Sequence, residues 1–251
     1  MKGKLGTLWP HALRALSLLL LCGVALQVAF LLRIALMVVL DPQSTTFQRS
    51  EAWRMLSEHG GGGWSQQWVD DLRIAQTLKR AVIASEDAGF VDHGGVEWDA
   101  IEAAWEKNQR AQARVRRVAK VVNKKPAMPK VIGASTITQQ LAKNLLLSGE
   151  RTTLRKGQEL VLTLMLEGLL SKERILTIYL NSVEWGEGLF GAQAAAAHYF
   201  RSDAARVSAE QAARLAVMLP APKRFEKQPG SAYVLSRAAT IVARMPSVEI
   251  P

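Results

Sequence analysis

The sequence is poor in the residues that build disulfide frameworks and metal centres. Of its 251 residues, one is a cysteine, Cys22, and four are histidines. A single cysteine cannot form an internal disulfide, and histidines as scattered as His11, His59, His93 and His198 match no zinc-binding spacing. We therefore expect a fold that depends on its apolar core, with no metal ligands among its site residues.

Acidic residues are also in the minority, because 22 Asp and Glu stand against 32 Lys and Arg, for a net charge of +10. This excess favours an anionic partner but leaves nucleic acid, phospholipid and pyrophosphate open. A composition of 49% hydrophobic and 22% charged residues is typical of globular proteins and excludes a disordered or fibrous chain. The length predicts one large domain or two small ones.

Charge is absent from one stretch near the N-terminus, Ala15–Leu32, and the apolar character resumes after Arg33. The stretch is long enough to cross a bilayer, and it is too long for a cleaved signal peptide. Basic residues precede it, and past the end of the apolar segment at Leu40 no Lys or Arg follows until Arg49, which predicts a cytoplasmic N-terminus. A buried core helix is the less favoured alternative. We predict a cytoplasmic segment at 1–14 and a transmembrane anchor at 15–40.

The chain beyond the anchor divides at a run of four glycines, Gly60–Gly63, which no helix or strand interior would hold without a large entropic cost. We therefore expect a linker over 41–63. From 64 to 251 the apolar residues recur mostly at helical spacing, as at Ile137 and Leu141, and no segment alternates convincingly as a strand. The sequence predicts a mainly α domain over 64–251.

A basic stretch of eight Lys and Arg with no acidic residue runs from Arg110 to Lys130. One interpretation is a solvated loop or an exposed helix end. The other is a surface that orients the protein on anionic headgroups, to which each basic residue contributes about 1 kcal/mol. Both interpretations remain open at this point.

The first cluster of candidate site residues is Glu86–Gly95. Glu86 follows Leu78 and Val82 at spacings of four, so it continues the apolar face of its helix. Partial desolvation and the negative end of the helix dipole both raise the pKa of such a carboxyl group, toward the range useful for proton transfer. A solvated acid pair, Glu86 and Asp87, at a helix end is the alternative, and this cluster alone does not exclude it.

The second cluster, Gly133–Leu145, places hydroxyl groups and two adjacent amides at the start of a helix, followed by Lys143 and Asn144. A helix N-terminus of this kind favours anionic or sugar groups. A simple N-cap would explain Ser135 or Thr136, but it would not explain the pair of Gln139 and Gln140.

The third cluster leads from three cations, Arg151, Arg155 and Lys156, to a second acid, Glu159. Arg155 and Glu159 are four residues apart, so an intrahelical ion pair worth a few tenths of a kcal/mol (~0.3) is one interpretation. A cationic pocket for a phosphate or pyrophosphate is the other.

In this order, the clusters resemble the motifs of the peptidoglycan glycosyltransferases of glycosyltransferase family 51, in particular its monofunctional members. The resemblance covers roughly residues 50 to 245. It is carried by Glu86-Asp-x-x-Phe90-x-x-His93-x-Gly95, Gly133-x-Ser135-Thr-Ile-Thr-Gln-Gln140-x-x-Lys143-Asn144, Arg155-Lys156-x-x-Glu159 and Lys172-x-x-Ile175-Leu-x-x-Tyr179-Leu-Asn181.

The resemblance implies a lysozyme-like, two-lobed helical domain on the outer face of the bacterial cytoplasmic (inner) membrane. The implied reaction transfers the growing glycan chain from undecaprenyl diphosphate to the 4-hydroxyl of the GlcNAc of lipid II, with inversion to a β-1,4 linkage. Its implied partners are lipid II, the glycan strand, membrane phospholipid and other wall-synthesis or division proteins, with no nucleic acid. No cofactor is required, although a divalent cation, Mg²⁺ or Mn²⁺, at the substrate diphosphate is compatible with the sequence.

The resemblance also implies the roles of single residues. Glu86 is the general base and Glu159 the second acid, near the diphosphate. The diphosphate is held by Lys143, Arg151, Arg155 and Lys156. Ser135, Gln139 and Gln140 line the sugar path. The other positions expected to bind substrate are Asp87, Phe90, His93, Thr136 and Asn144.

Two departures from the family pattern and two alternative functions accompany this interpretation. The basic stretch is longer than the usual connection, and Gln158 stands where some members have lysine. A lytic transglycosylase or lysozyme-like hydrolase would share a catalytic Glu but would not need the cations around Glu159, because a finished strand has no diphosphate. A non-catalytic wall-synthesis scaffold would not need both acids and the cations.

Overall fold

The computed structural model describes residues 5–122, 133, 135–147, 149–150 and 152–251. Within them the chain is mainly α, with one long apolar N-terminal helix, so the predicted fold class is confirmed. The helices are α1 (Leu5–Leu36), α2 (Thr46–His59), α3 (Gln76–Glu86), α4 (Trp98–Val122), α5 (Ile137–Leu146), α6 (Thr153–Leu169), α7 (Lys172–Ser182), α8 (Ala192–Phe200), α9 (Ala209–Met218), α10 (Pro222–Phe225) and α11 (Ala232–Arg244). Single 3₁₀ turns lie at Asp71–Arg73, Ala204–Arg206 and Met245–Ser247.

The core forms where these helices turn their apolar faces toward one another. α5 buries Ile137, Leu141 and Leu145 at spacings of four and packs against α6 and α7. α7 is buried continuously from Ile175 to Ser182, and α3 packs against α9 and α11. The end of α3 and the first turns of α5, where the first two sequence clusters lie, are therefore held by one apolar core.

Three short strands form a small sheet that the sequence analysis did not predict. The strands are β1 (Ser65–Gln66), β2 (Glu184–Gly186) and β3 (Leu189–Phe190), in the order β1-β3-β2, with β1 parallel and β2 antiparallel to β3. Strands of two or three residues are too short to show an alternating pattern. Gly188 turns the chain between β2 and β3 at φ 69°, and a Cβ there would meet the Gly63 carbonyl at 2.4 Å.

The segment 41–63, expected to be a linker, contains the helix α2. Its capping box is formed by Thr45 and Gln48, both buried, and the helix ends at Gly60 with φ 66°. Thr46 also donates a hydrogen bond to the Leu145 carbonyl, 3.0 Å away. The spacing of apolar residues did not predict α2, because this helix is held against the core by polar contacts.

The helix α1 contains one stretch, Pro10–Leu36, that is long and apolar enough to cross a membrane. Ile34, near the end of this helix, and Met37, just after it, pack into the apolar core. Arg174 of α7 donates to the Met37 and Leu40 carbonyls at 2.7 and 2.9 Å, so it holds the turn that follows α1. The end of α1 and the rest of the chain thus share a packed interface.

A second contact joins α1 to α6 through two half-buried glutamines. The amide of Gln27 donates to Gln158 at 2.9 Å, and the amide of Gln158 donates back at 3.0 Å. Gln158, one of the two departures from the family pattern, thus contacts α1. A reciprocal amide pair satisfies both polar groups beside apolar surroundings, where an unpaired amide would be costly.

We expect Gln27→Leu and Gln158→Leu each to lower stability by about 1 kcal/mol, because each leaves one amide without its partner. The double variant should lose less than the sum, since it removes both polar groups. Thermal unfolding in detergent micelles measures this cycle, with Ser17→Leu as a control on α1, since Ser17 bonds only within its own helix. Additive losses would show that the pair does not couple the helices.

Candidate active site

Glu86 is the last residue of α3 and lies half-buried at the edge of the core. Leu78 and Val82, on the same helix face, are fully buried, as the spacing predicted. Desolvation raises the pKa of the Glu86 carboxyl group, hydrogen bonds from Gln140 and Ser85 partly lower it, and the charge of Asp87 raises it further. This raised pKa suits a group that accepts a proton near neutral pH.

The orientation of the Glu86 carboxylate is set by a chain of two hydrogen bonds. The Gln140 amide donates to Glu86 Oε2 at 2.9 Å, and the hydroxyl of Tyr179 donates to Gln140 Oε1 at 2.9 Å. Tyr179 is buried in α7, and burial, together with the nearby charges of Glu86 and Asp87, raises its pKa. It therefore stays protonated and fixes which end of the Gln140 amide faces Glu86.

Asp87, next to Glu86, faces into the protein and joins α3 to α5. Its Oδ2 accepts from the backbone N–H of Ile137 at 2.9 Å, and its Oδ1 lies 2.8 Å from His93 Nε2. Thr136 donates its hydroxyl proton to the Gly95 carbonyl at 2.7 Å. These buried contacts close the loop after α3 onto the start of α5.

Four residues expected to bind substrate therefore lie behind the site. Asp87, Thr136 and Phe90 are buried, and the side chain of His93 is largely so. The sequence motif identified them, but their hydrogen-bonding groups are occupied by the protein. In this structure they position the residues that face the cleft.

The loop is also held by α7 through Lys172, which the sequence analysis did not assign to the site. Its ammonium donates to the His93 carbonyl at 2.6 Å, pairs with Glu167 at 2.9 Å and lies 4.6 Å from the centre of the Phe90 ring. Glu167 also accepts a hydrogen bond from Thr138 at 2.5 Å. One ion pair thus links α5, α6, α7 and the loop.

A cleft of about 500 Å³ brings together residues of α5, α6, β2 and α10. Glu86 is not among its lining residues and is joined to it through Gln140, which lines the cleft and donates to Glu86. Most of the positions predicted to bind substrate line the cleft: Ser135, Gln139, Gln140, Lys143, Asn144, Arg155, Lys156 and Glu159. Arg151 lies outside the described residues. The second and third sequence clusters, which are separate in the chain, therefore form one surface.

Glu159 lies buried at the cleft wall between two cations of its own helix. Arg155 Nη1 is 2.9 Å from one carboxylate oxygen, and Lys156 Nζ contacts the other. Within the described residues, Arg155 Nε is buried without a hydrogen-bond partner. The intrahelical pair is present, but it is buried and lines the cleft, unlike a solvated surface pair.

Three possible metal ligands, Asp87, His93 and Glu97, have ligand atoms within 4.8 Å of one another. The backbone N–H of Gly95 donates to His93 Nδ1 at 3.1 Å, which leaves Nε2 as the donor to Asp87. Both ring nitrogens of His93 are therefore engaged by the protein. This cluster fits a hydrogen-bond network better than a metal centre.

The fold and this site agree with comparisons to known proteins. A family model described as Transglycosylase matches residues 54–246. The chain is 52% identical to a biosynthetic peptidoglycan transglycosylase of Burkholderia pseudomallei, over 90% of this chain and 82% of that protein. It is 48% identical to one of Bordetella pertussis, over 97% of this chain and 96% of that protein.

The chain belongs to the transglycosylase family. It is an enzyme of glycosyl transfer, with the lysozyme-like helical domain of that family. The family resemblance and the fold class predicted from the sequence are thereby confirmed.

We expect Tyr179→Phe to release the Gln140 amide and to weaken its bond to Glu86. Because that bond lowers the pKa of Glu86, its loss should raise this pKa and move the acidic limb of the rate profile to higher pH. The pH dependence of glycosyl transfer measures the shift. Tyr199→Phe, which removes a hydroxyl bond to the Trp185 carbonyl, is the matched control and should leave the limb in place.

If Tyr179→Phe and Tyr199→Phe shift the acidic limb of the rate profile equally, the hydrogen bonds from Tyr179 through Gln140 to Glu86 do not determine the pH of that limb.

Proposed function

We propose that this protein polymerises the glycan strands of peptidoglycan from lipid II. The growing chain would be transferred from undecaprenyl diphosphate to the 4-hydroxyl of the acceptor GlcNAc, with inversion to a β-1,4 linkage. The observation that carries the proposal is a cleft that is lined by cations of α5 and α6 and is joined through Gln140 to Glu86, a carboxylate of raised pKa. The relatives named biosynthetic peptidoglycan transglycosylases support the substrate.

In this proposal Glu86 is the general base. An inverting displacement needs a group that removes the proton of the attacking hydroxyl as its bond to the anomeric carbon forms. Gln140 orients the Glu86 carboxylate through one oxygen, Oε2, and in this proposal the carboxylate accepts the hydroxyl proton. The diphosphate departs with the bonding electron pair, so no covalent enzyme intermediate is required.

The cations Lys143, Arg155 and Lys156 would neutralise the leaving diphosphate, and charge stabilisation of this kind is a large part of catalysis. Glu159 would hold Arg155 and Lys156 in the cleft wall, since each of its carboxylate oxygens contacts one of them. Because both oxygens of Glu159 are engaged in these contacts, Glu159 is a poor metal ligand. We therefore assign the neutralisation of the diphosphate charge to the three cationic side chains.

The protein would act at the outer face of the bacterial cytoplasmic membrane, with α1 as a single-pass anchor and its N-terminus in the cytoplasm. The substrate carries its lipid in the bilayer, and the chain exposes apolar side chains in α4 (Trp98, Ile101 and Trp105) and in α6 (Leu154 and Leu164). In α4 they precede the exposed residues Arg110, Arg114, Arg116 and Arg117. Tryptophan followed by basic residues suits an interface with anionic headgroups and supports the orienting role of the basic stretch.

Residues of that stretch from 123 to 130 lie outside the described part of the chain.

We expect Glu86→Gln to lower the rate of lipid II polymerisation by about 10²–10⁴-fold, because it removes the base without a large change in volume. The measurement uses purified protein and labelled lipid II in detergent, followed by muramidase digestion of the product. Asp92→Asn, a change of an exposed acid in the same loop, is the control and should keep the wild-type rate.

A Glu86→Gln variant that keeps more than about a tenth of the wild-type turnover would contradict the role of the base. A wild-type protein that ignores lipid II and cleaves finished glycan would instead be a hydrolase. A wild-type protein that neither polymerises lipid II nor cleaves glycan would support the alternative of a non-catalytic scaffold.

A further inference from the structure

The cleft wall contains a third acid that the catalytic scheme does not use. Glu184 is the first residue of β2, lines the cleft and is only 6% exposed. Within the described residues its Oε1 atom is buried and has no hydrogen-bond partner. A buried carboxylate oxygen without a donor is costly, so its retention beside a cleft requires an explanation.

Glu184 and the next residue of β2, Trp185, have different surroundings. Glu184 pairs with Phe190 of β3, and the register is irregular between Glu184 and Gly186, so the place of Glu184 is given by the cleft lining, to which it belongs. Trp185 is fully buried in the core, where its indole N–H donates to the Leu215 carbonyl at 3.1 Å. The core contact of Trp185 holds the strand that carries Glu184.

The nearest cation does not satisfy the free oxygen. Lys223 of α10 lies 3.7 Å from Glu184 Oε1, which is too long for a hydrogen bond, and its ammonium contacts Glu51 of α2 instead. Glu51 also binds Arg54 at 3.0 Å. The cleft therefore presents an unfilled acceptor beside an ammonium group that is already held by another acid.

The charges around Glu184 exclude the diphosphate from this part of the cleft. Burial raises the pKa of Glu184 to about 7, Lys223 opposes this, and the charges of Glu51 and Glu226 add to it. The three acids Glu184, Glu51 and Glu226 outnumber the two cations, Lys223 and Arg54, so this part of the cleft disfavours an anion. The adjoining cleft wall is apolar, through Phe47, Leu219 and Pro222.

We propose that Glu184 and Lys223 form a subsite for a saccharide hydroxyl or amide group of the substrate. A hydroxyl between them donates to Glu184 Oε1 and accepts from the ammonium of Lys223, which bridges a gap that the two side chains do not close. The apolar wall suits the carbon face of a sugar ring. This inference rests on the proposed function and assigns the diphosphate to α6 and a sugar to the wall formed by β2 and α10.

The test compares Glu184→Ala and Glu184→Gln with the wild-type protein in lipid II polymerisation. Glu184→Ala should raise KM by about 10-fold or more, the loss expected for a hydrogen bond to a charged group, with a smaller change in kcat. Glu184→Gln keeps an acceptor oxygen and should stay within about threefold of the wild-type KM. Glu187→Gln, at an exposed acid of the β2–β3 turn, is the control.

Two further readouts separate a binding role from a structural one. Neither variant should unfold at a lower temperature than the wild-type protein, because each removes a buried carboxylate that has one oxygen without a hydrogen-bond donor. As the pH falls below about 7, where Glu184 takes up a proton, the KM of the wild-type protein should rise toward that of Glu184→Gln, by no more than about threefold, and the KM of Glu184→Gln should not change. Lower unfolding temperatures with unchanged KM would assign Glu184 to the fold and overturn the subsite.

The occupant of the subsite could also be the ammonium group of the peptide that lipid II carries. Acetylating this side-chain amine distinguishes the peptide from the saccharide. The KM penalty of Glu184→Ala should persist with this substrate, and its disappearance would make an ammonium group the occupant and overturn the proposal. Fluorescence anisotropy of labelled lipid II on the Glu86→Gln background gives affinities without turnover. Weaker binding of lipid II by Glu184→Ala would support the subsite even if the protein did not polymerise lipid II. Equal binding would overturn the subsite and leave the proposed function standing.

Discussion

The carboxylate of Asp87 is the contact on which the site depends, because it joins the end of α3 to the start of α5. One oxygen accepts from the Ile137 backbone and the other lies beside His93. Glu86 is the preceding residue and Gln140 lies on the first turn of α5, so this contact brings the proposed base and its hydrogen-bond donor together. A carboxylate that loses these partners would remain buried, which is strongly unfavourable.

The other wall of the site, α6, depends on a different constraint. Arg155 and Lys156 are held by the buried Glu159. Gln158, the residue before Glu159, binds Gln27 of α1. Helix α6 therefore presents cations to the cleft and an amide to α1. In the proposed function this arrangement places the diphosphate-binding cations at a fixed depth relative to the bilayer, where the lipid of the substrate also lies.

Sequence reasoning succeeded where a signal is local and periodic. The spacing of Leu78, Val82 and Glu86 predicted a partly desolvated acid, and burial does raise its pKa. It failed where tertiary contacts decide. The expected linker contains α2, which is held by the polar cap at Thr45, and the strands were too short to show a pattern.

The same limit applies to the candidate site. A motif shows that Asp87 and His93 belong to the site, but only the folded chain shows that they bond to each other and face away from the cleft. Tyr179 was visible only as a motif position, and its contact with Gln140 joins residues that are 39 positions apart. Glu184 lies in no motif, so no sequence signal pointed to it.

The central claim is that Glu86 acts as a base whose pKa is raised by burial. The most direct test is the pH dependence of kcat for glycan transfer by the wild-type protein at saturating lipid II. Because a base works only when deprotonated, the rate should fall with decreasing pH, along a limb centred above the ordinary glutamate value of 4.5. A limb centred at or below that value, or a rate that does not fall in acid, would contradict the account.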